Sequence, residues 1–130
     1  MGLIVEGIDE AIEFIGNISE SAVVGTAIEV ESRLREETPV DTGYARNSWI
    51  TTDDPEDIGT PGENTPAQKL AVLQNFRLGE TVYINNGCDY IESLNDGHSK
   101  QAPYGMTYKV MPEVPDIVRD QVEDAERAGR

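Results

Sequence analysis

Between residues 7 and 37 the apolar side chains Ile8, Ile12, Ile15, Ile18, Ala22, Val23, Ala27, Val30 and Leu34 recur mostly at steps of three or four, the spacing of one face of an amphipathic α-helix. A helix of that span would be a rod of roughly 45 Å. That is long for so short a chain, so part of it is expected to pack on a neighbouring subunit. Gly16 and Gly25 interrupt the stripe, each costing about 1 kcal/mol relative to Ala, and Gly16-Asn17 is the natural place for a kink. Thr38-Pro39 ends the helix, because proline lacks an amide donor and pushes the residue before it out of helical dihedrals.

Beyond that point the period changes. Trp49, Ile50, Thr51 and Thr52 read as a strand with a buried or interfacial aromatic. Residues 81–85 alternate, with Val82 and Ile84 on one face, and residues 106–111 alternate again, so both read as strands. Thr65-Pro66 caps a second helix that Gly79 stops, with Leu70, Leu73 and Phe76 as its apolar edge. Asn86-Gly87 is a tight turn. Asp89 followed by Glu92 opens a short helix carrying Tyr90, Ile91 and Leu94, which Gly97 closes. A final helix over residues 116–128 turns Ile117, Val118, Val122 and Ala125 inward. The predicted order is helix, strand, helix, strand, short helix, strand, helix. It makes a single α+β domain in which a small, largely antiparallel sheet packs on helices.

Charge alters the functional picture more than the fold. Of the 130 residues, 25 are Asp or Glu and 10 are Lys or Arg, for a formal net charge of -15. Such a chain is unsuited to gripping a nucleic-acid backbone, which requires clustered cations. Acid gathers in the first helix, in the loop over 53–65 and in the tail from Glu113. The loop holds Asp53, Asp54, Glu56 and Asp57 together with Pro55, Gly59, Pro61 and Gly62. It is polar and long enough to read as disorder or as a functional projection. The single cysteine excludes an internal disulfide framework and fits a reducing compartment. No run of roughly eighteen apolar residues marks a membrane span, and the N-terminus lacks signal-peptide order, so a soluble, unexported chain is expected.

Few residues invite chemistry. Cys88, Asp89 and His98 are the types a thiol nucleophile would need, but the chain has one His to serve as base and no spacing that brings it to the thiol. No catalytic role is expected. Asp53, Asp54, Glu56 and Asp57 could attract a hard cation, yet they lack the one-residue spacing and central Gly of a calcium loop, so no metal or cofactor is expected. Tyr83, Tyr90, Tyr104 and Tyr108 suit either a core or a half-buried interface.

Two stretches carry a resemblance. One, over residues 38–49, contains Thr38, Pro39, Val40, Asp41, Thr42, Gly43, Arg46 and Ser48. The other contains Asn85, Tyr90, Glu92, Gly97, Ser99, Lys100, Gln101, Ala102, Pro103, Gly105 and Met106. Together and in this order they resemble the tail-completion, or neck, proteins of long-tailed double-stranded DNA bacteriophages. The chain departs from that pattern in the acidic loop after Trp49 and in Leu94, Asn95 and Asp96, which lengthen the interval between Glu92 and Gly97.

The resemblance implies a structural virion protein with no enzymatic activity, made in the host cytoplasm and resident in the neck or tail. It would form a homo-oligomeric ring of roughly six or twelve copies. It would contact neighbouring neck, tail-terminator or connector proteins, let genomic DNA pass without specific binding, and touch no membrane. It also implies an assembly interface drawn from Pro39, Asp41, Thr42, Gly43, Trp49, Tyr90, Glu92, His98, Ser99, Lys100, Gln101 and Pro103, with Asp53, Asp54, Glu56 and Asp57 facing the channel. The alternative from another class is an acidic inhibitor that mimics DNA. Its carboxylates would need phosphate-like spacing along one face, whereas here they are bunched.

Overall fold

In the computed structural model, residues 20–39, 43–95 and 105–127 are described in full, and residues 3–5 as backbone. Helix α1 (Glu20–Glu37) is the spine of the molecule, and Ala22, Val23, Ala27, Val30 and Leu34 are its buried face, as the periodicity predicts. The predicted turns before Glu20 lie outside the described residues, as do Asp41 and Thr42. The helix stops where expected: the Thr38 hydroxyl donates to Leu34 O at 2.6 Å and its amide to Arg35 O at 3.2 Å. Those bonds satisfy carbonyls that the helix end would otherwise leave without partners.

The sheet is antiparallel, in the order β1 (Leu3–Val5), β3 (Tyr83–Asn86), β2 (Trp49–Thr52). Trp49 and Leu3 both lie opposite Asn86, on either side of it. Strand β1 has no counterpart in the sequence reading, since three consecutive apolar residues have no measurable period.

The predicted strand over 106–111 is a helix, α4 (Met106–Val110), running through a 3-10 turn at Met111–Glu113 into α5 (Val114–Arg127). Met106 and Val110 are buried and Tyr108 between them is 65% exposed, so the true repeat is i, i+4 and the apparent alternation is incidental. Gly105, at φ 81°, turns the chain into this helix, and a Cβ there would stand 1.9 Å from Asn95 O. The Asn95 side-chain oxygen then accepts from both the amide and the hydroxyl of Thr107 at 2.8 Å, which ties α4 to the end of α3 (Ile91–Asn95).

The second predicted helix is shorter than its apolar edge implies. Thr65 and Gln68 form the reciprocal capping box over a 3-10 turn at Pro66–Gln68, but α2 (Lys69–Leu73) ends well before Gly79. Tight turns follow, in which the Asn75 and Phe76 amides donate to Val72 O and Leu73 O. They send Phe76 into the core beside Leu73 and leave Leu70, expected inward, 56% exposed. Helix α5 lays Val114, Ile117 and Val118 against α1, with Val122 partly buried, and α1 in turn packs on β2 and α4.

The acidic segment over 53–65 has a defined path because its own side chains satisfy its backbone. Asp57 accepts from the Thr52 hydroxyl at 3.0 Å and the Gly59 amide at 2.8 Å, and Asp54 accepts from the Glu56 amide at 2.9 Å. Asn85 Nδ2 reaches Asp57 O at 2.7 Å, with Asp54 O and Pro55 O at 3.2 and 3.3 Å. Asn64, almost fully buried, donates to Ser48 O and Ile58 O and accepts from the Thr60 amide. Replacing Asn64 with Ala leaves these buried groups unpaired and is expected to cost about 1–3 kcal/mol. Hydrogen exchange should accelerate at the Thr60 amide and its neighbours while α1 and α5 keep their protection. Unchanged exchange there would show that the loop does not depend on this anchor.

Candidate functional site

A buried ionic cluster fixes the start of β2. Glu31, fully buried on α1, accepts from Lys69 Nζ at 2.7 Å and from the Thr51 hydroxyl at 3.0 Å. Arg35 Nε stands 3.6 Å from the same carboxylate, beyond hydrogen-bond reach, while its Nη2 donates to Trp49 O at 2.6 Å and its Nη1 to Arg46 O at 3.2 Å. Arg46 in turn donates to Glu36 O and Thr38 O, and Trp49 Nε1 donates to the Thr38 hydroxyl at 2.8 Å. One carboxylate and its cations thereby lock α1, α2 and β2 to each other and set the course of the turn between α1 and β2. In the sequence, Glu31 and Arg35 sit next to the apolar stripe at an i, i+4 spacing. That signal was available, but it reads equally as a solvated pair.

This scaffold presents a surface where the described parts of both motif stretches meet. Asn86 Nδ2 donates to Ala45 O at 3.0 Å, which joins the exit of β3 to the segment after Gly43. The Tyr44 and Tyr90 ring centroids lie 6.2 Å apart, tilted by 31°, within the range of an attractive aromatic pair. Ser48 holds this arrangement: its hydroxyl donates to Tyr44 O at 2.7 Å and accepts from the Gly62 amide at 2.9 Å. Gly62, at φ 86°, passes under the Tyr44 ring so closely that a Cβ would stand 2.5 Å from Cδ2. Ile58 and Pro61 close over Gly87 on the same loop. The result is an apolar patch in which Tyr44 is 39% and Tyr90 46% exposed. Exposed Glu63, Asp89 and Glu92 stand beside it in the chain.

No family model, no curated protein and no solved structure matches this chain. Function is therefore read from the arrangement itself.

Of the residues the sequence marked for assembly, Tyr90 and Glu92 are on the surface, Gly43 is half-buried and turns at φ 77°, and Pro39 is buried. Trp49 is corrected: it is fully buried among core side chains and cannot face a partner, because the network above draws its indole inward. Asp41, Thr42, His98, Ser99, Lys100, Gln101 and Pro103 lie outside the described residues. Asp53, Asp54, Glu56 and Asp57 are all exposed. Tyr44 carries one legible signal, as the aromatic directly after the turn glycine Gly43.

Among the described residues no group of three or more His, Cys, Asp or Glu side chains is placed to hold a metal ion, and no helix is long and apolar enough to cross a membrane. Cys88 is fully buried in the core cluster. Burial pushes its thiol above the ordinary range, against the opposing effect of hydrogen bonds from the Tyr90 and Ile91 region. The neutral thiol is therefore the folded form. The unfolded chain ionises first as pH rises, so this group withdraws stability on the alkaline side and none below its ordinary range. At pH 8 the native protein should react with iodoacetamide on the order of 100-fold more slowly than the urea-unfolded chain. Comparable rates would place the thiol at the surface.

Proposed function

We propose that this chain is a structural subunit of the virion of a long-tailed double-stranded DNA phage: a tail-completion or neck protein that forms a ring at the head-proximal end of the tail and joins tail to capsid. The observation that carries the reading is the meeting of the two motif stretches, far apart in sequence, at the Tyr44–Tyr90 pair and the Asn86–Ala45 bond. A docking function gives both halves of the pattern one place to act, at a half-exposed aromatic pair of the kind that interfaces favour.

The mechanism is association, with no bond made or broken. A ring closes through head-to-tail contacts between unlike surfaces. With -15 per subunit, such a ring gathers strong self-repulsion, which screening relieves. The exposed carboxylates of Asp53, Asp54, Glu56 and Asp57 would then face the channel and repel the passing duplex. Sedimentation of the purified chain, alone and with tail components, is the test. Ring-sized species should grow as salt rises from low to physiological levels. A chain that stays monomeric with those components present, or assembles less as salt rises, would contradict the reading.

A further inference from the structure

We infer that Asn86-Gly87 is a modification site that the fold closes and unfolding opens. In a chain that stays unfolded, the Gly87 nitrogen converts the Asn86 side-chain amide to a carboxylate, and the product cannot rebuild the native contact between β3 and the segment after Gly43.

The chain has one Asn-Gly step, and the structure uses both residues. Asn86 is fully buried in the central strand β3, opposite Leu3 on one side and Trp49 on the other. Both ends of its amide are engaged: Nδ2 donates to Ala45 O at 3.0 Å, and Oδ1 accepts from the Cys88 amide at 2.9 Å. A carboxylate accepts but does not donate, so it can make only the second bond. Gly87 is buried beneath the acidic loop, where a Cβ would stand 2.8 Å from Ile58 Cβ and 3.0 Å from Pro61 Cγ. Neither atom can swing aside as a side-chain tip would. Packing thus keeps glycine after asparagine, and glycine leaves its own peptide nitrogen unshielded.

The chemistry needs only water. The Gly87 nitrogen attacks Asn86 Cγ and forms an N–C bond, the Cγ–Nδ2 bond breaks, and Nδ2 leaves as ammonia with the proton from the Gly87 nitrogen. Water then opens the cyclic imide. Addition at Cγ gives an aspartate, and addition at the main-chain carbonyl gives an isoaspartate whose backbone runs through the former side chain. In the folded chain the first step is blocked: strand residues hold ψ at about +135°, which turns the next nitrogen away from the side-chain carbonyl, and two hydrogen bonds fix the amide in place. After conversion the way back is blocked as well. A carboxylate at position 86 faces Ala45 O with no hydrogen to offer, and an isoaspartate adds a carbon to the strand that pairs with both neighbours. The lost bond is one that joins the two motif stretches, so the reaction also dismantles the surface assigned to docking, although the chemistry does not depend on that reading.

The test ages the full chain at pH 8 in urea and in buffer, and locates converted residues by fragmentation mass spectrometry. In urea, Asn86 should convert ahead of Asn75, whose neighbour Phe76 shields the peptide nitrogen. In the native chain it should convert at least about tenfold more slowly than in urea. Gly87→Ala, compared in urea so that its own folding does not matter, should slow the unfolded reaction by about tenfold. When urea is removed, chains with intact Asn86 should regain the native Trp49 emission, and converted chains should refold to a lower unfolding midpoint or not at all. Asn86→Asp, made directly, should behave as the converted chains do. A smaller ratio between unfolded and native rates would mean that the fold does not close the site. Converted chains or Asn86→Asp with the unfolding midpoint of the original protein would mean that the contact tolerates the product. Either result overturns the inference, and neither bears on whether the chain enters virions.

Discussion

Glu31→Ala should destabilise the fold by about 3–5 kcal/mol, because it strands two buried cations without their anion. Glu31 is fully buried, Lys69 meets it at 2.7 Å and Arg35 at 3.6 Å. Little of that loss is the worth of the ion pair itself. Removing two charges from water costs nearly what their attraction returns, so replacing Glu31 and Lys69 together by Met is expected to recover part of the single-variant loss, the remainder being the cost of Arg35, which stays buried without its anion. Urea unfolding of the single and double variants separates the two contributions. A double variant as unstable as Glu31→Ala would mean that the acid holds the fold through Thr51 and the shape of the site rather than through its charge.

Trp49→Ala is expected to cost a comparable amount, about 3–5 kcal/mol, from lost burial and the cavity left behind. Trp49 is the largest fully buried side chain, and its Nε1 donates to the Thr38 hydroxyl at 2.8 Å. The more informative comparison is with assembly. A side chain with no exposed surface acts on the stability of each subunit, so Trp49→Phe, a smaller insult, should lower the unfolding midpoint while leaving association of the still-folded protein unchanged. If Trp49→Phe blocked association without lowering stability, the indole would be an interface residue after all. As the chain's one tryptophan, it also reports directly: its emission should be blue-shifted in the native state and move red on unfolding.

These residues show what a sequence discloses and what it hides. Helices α1 and α5 were legible because enough turns repeat their apolar faces to fix a period. Strands β2 and β3 were legible because branched and aromatic residues stand between breakers. The segment Met106–Val110 was misread because positions 106, 108 and 110 fit a period of two as well as 106 and 110 fit a period of four. Only the turn at Gly105 and the Asn95 cap decide between them. The Glu31 cluster was hidden because an acid and a base four apart on a helix are usually solvated, and its third member, Lys69, comes from a distant element. The path of the acidic loop depended on Asn64 and Asn85, whose amides look like ordinary polar residues until the backbone wraps around them.

The candidate surface was half legible. Tyr90 belongs to the quoted motif and its ring pairs with Tyr44, and Glu92 is exposed two residues on, whereas Tyr44 and the close passage of Gly62 beneath its ring are products of three-dimensional packing.

The most direct test of the docking account is cryo-electron microscopy of phage particles carrying a labelled copy of this chain, beside particles assembled without it. The account predicts a ring of label at the junction of head and tail in the first sample, and tails unjoined to heads in the second. Complete, infectious particles that lack the chain altogether would contradict it.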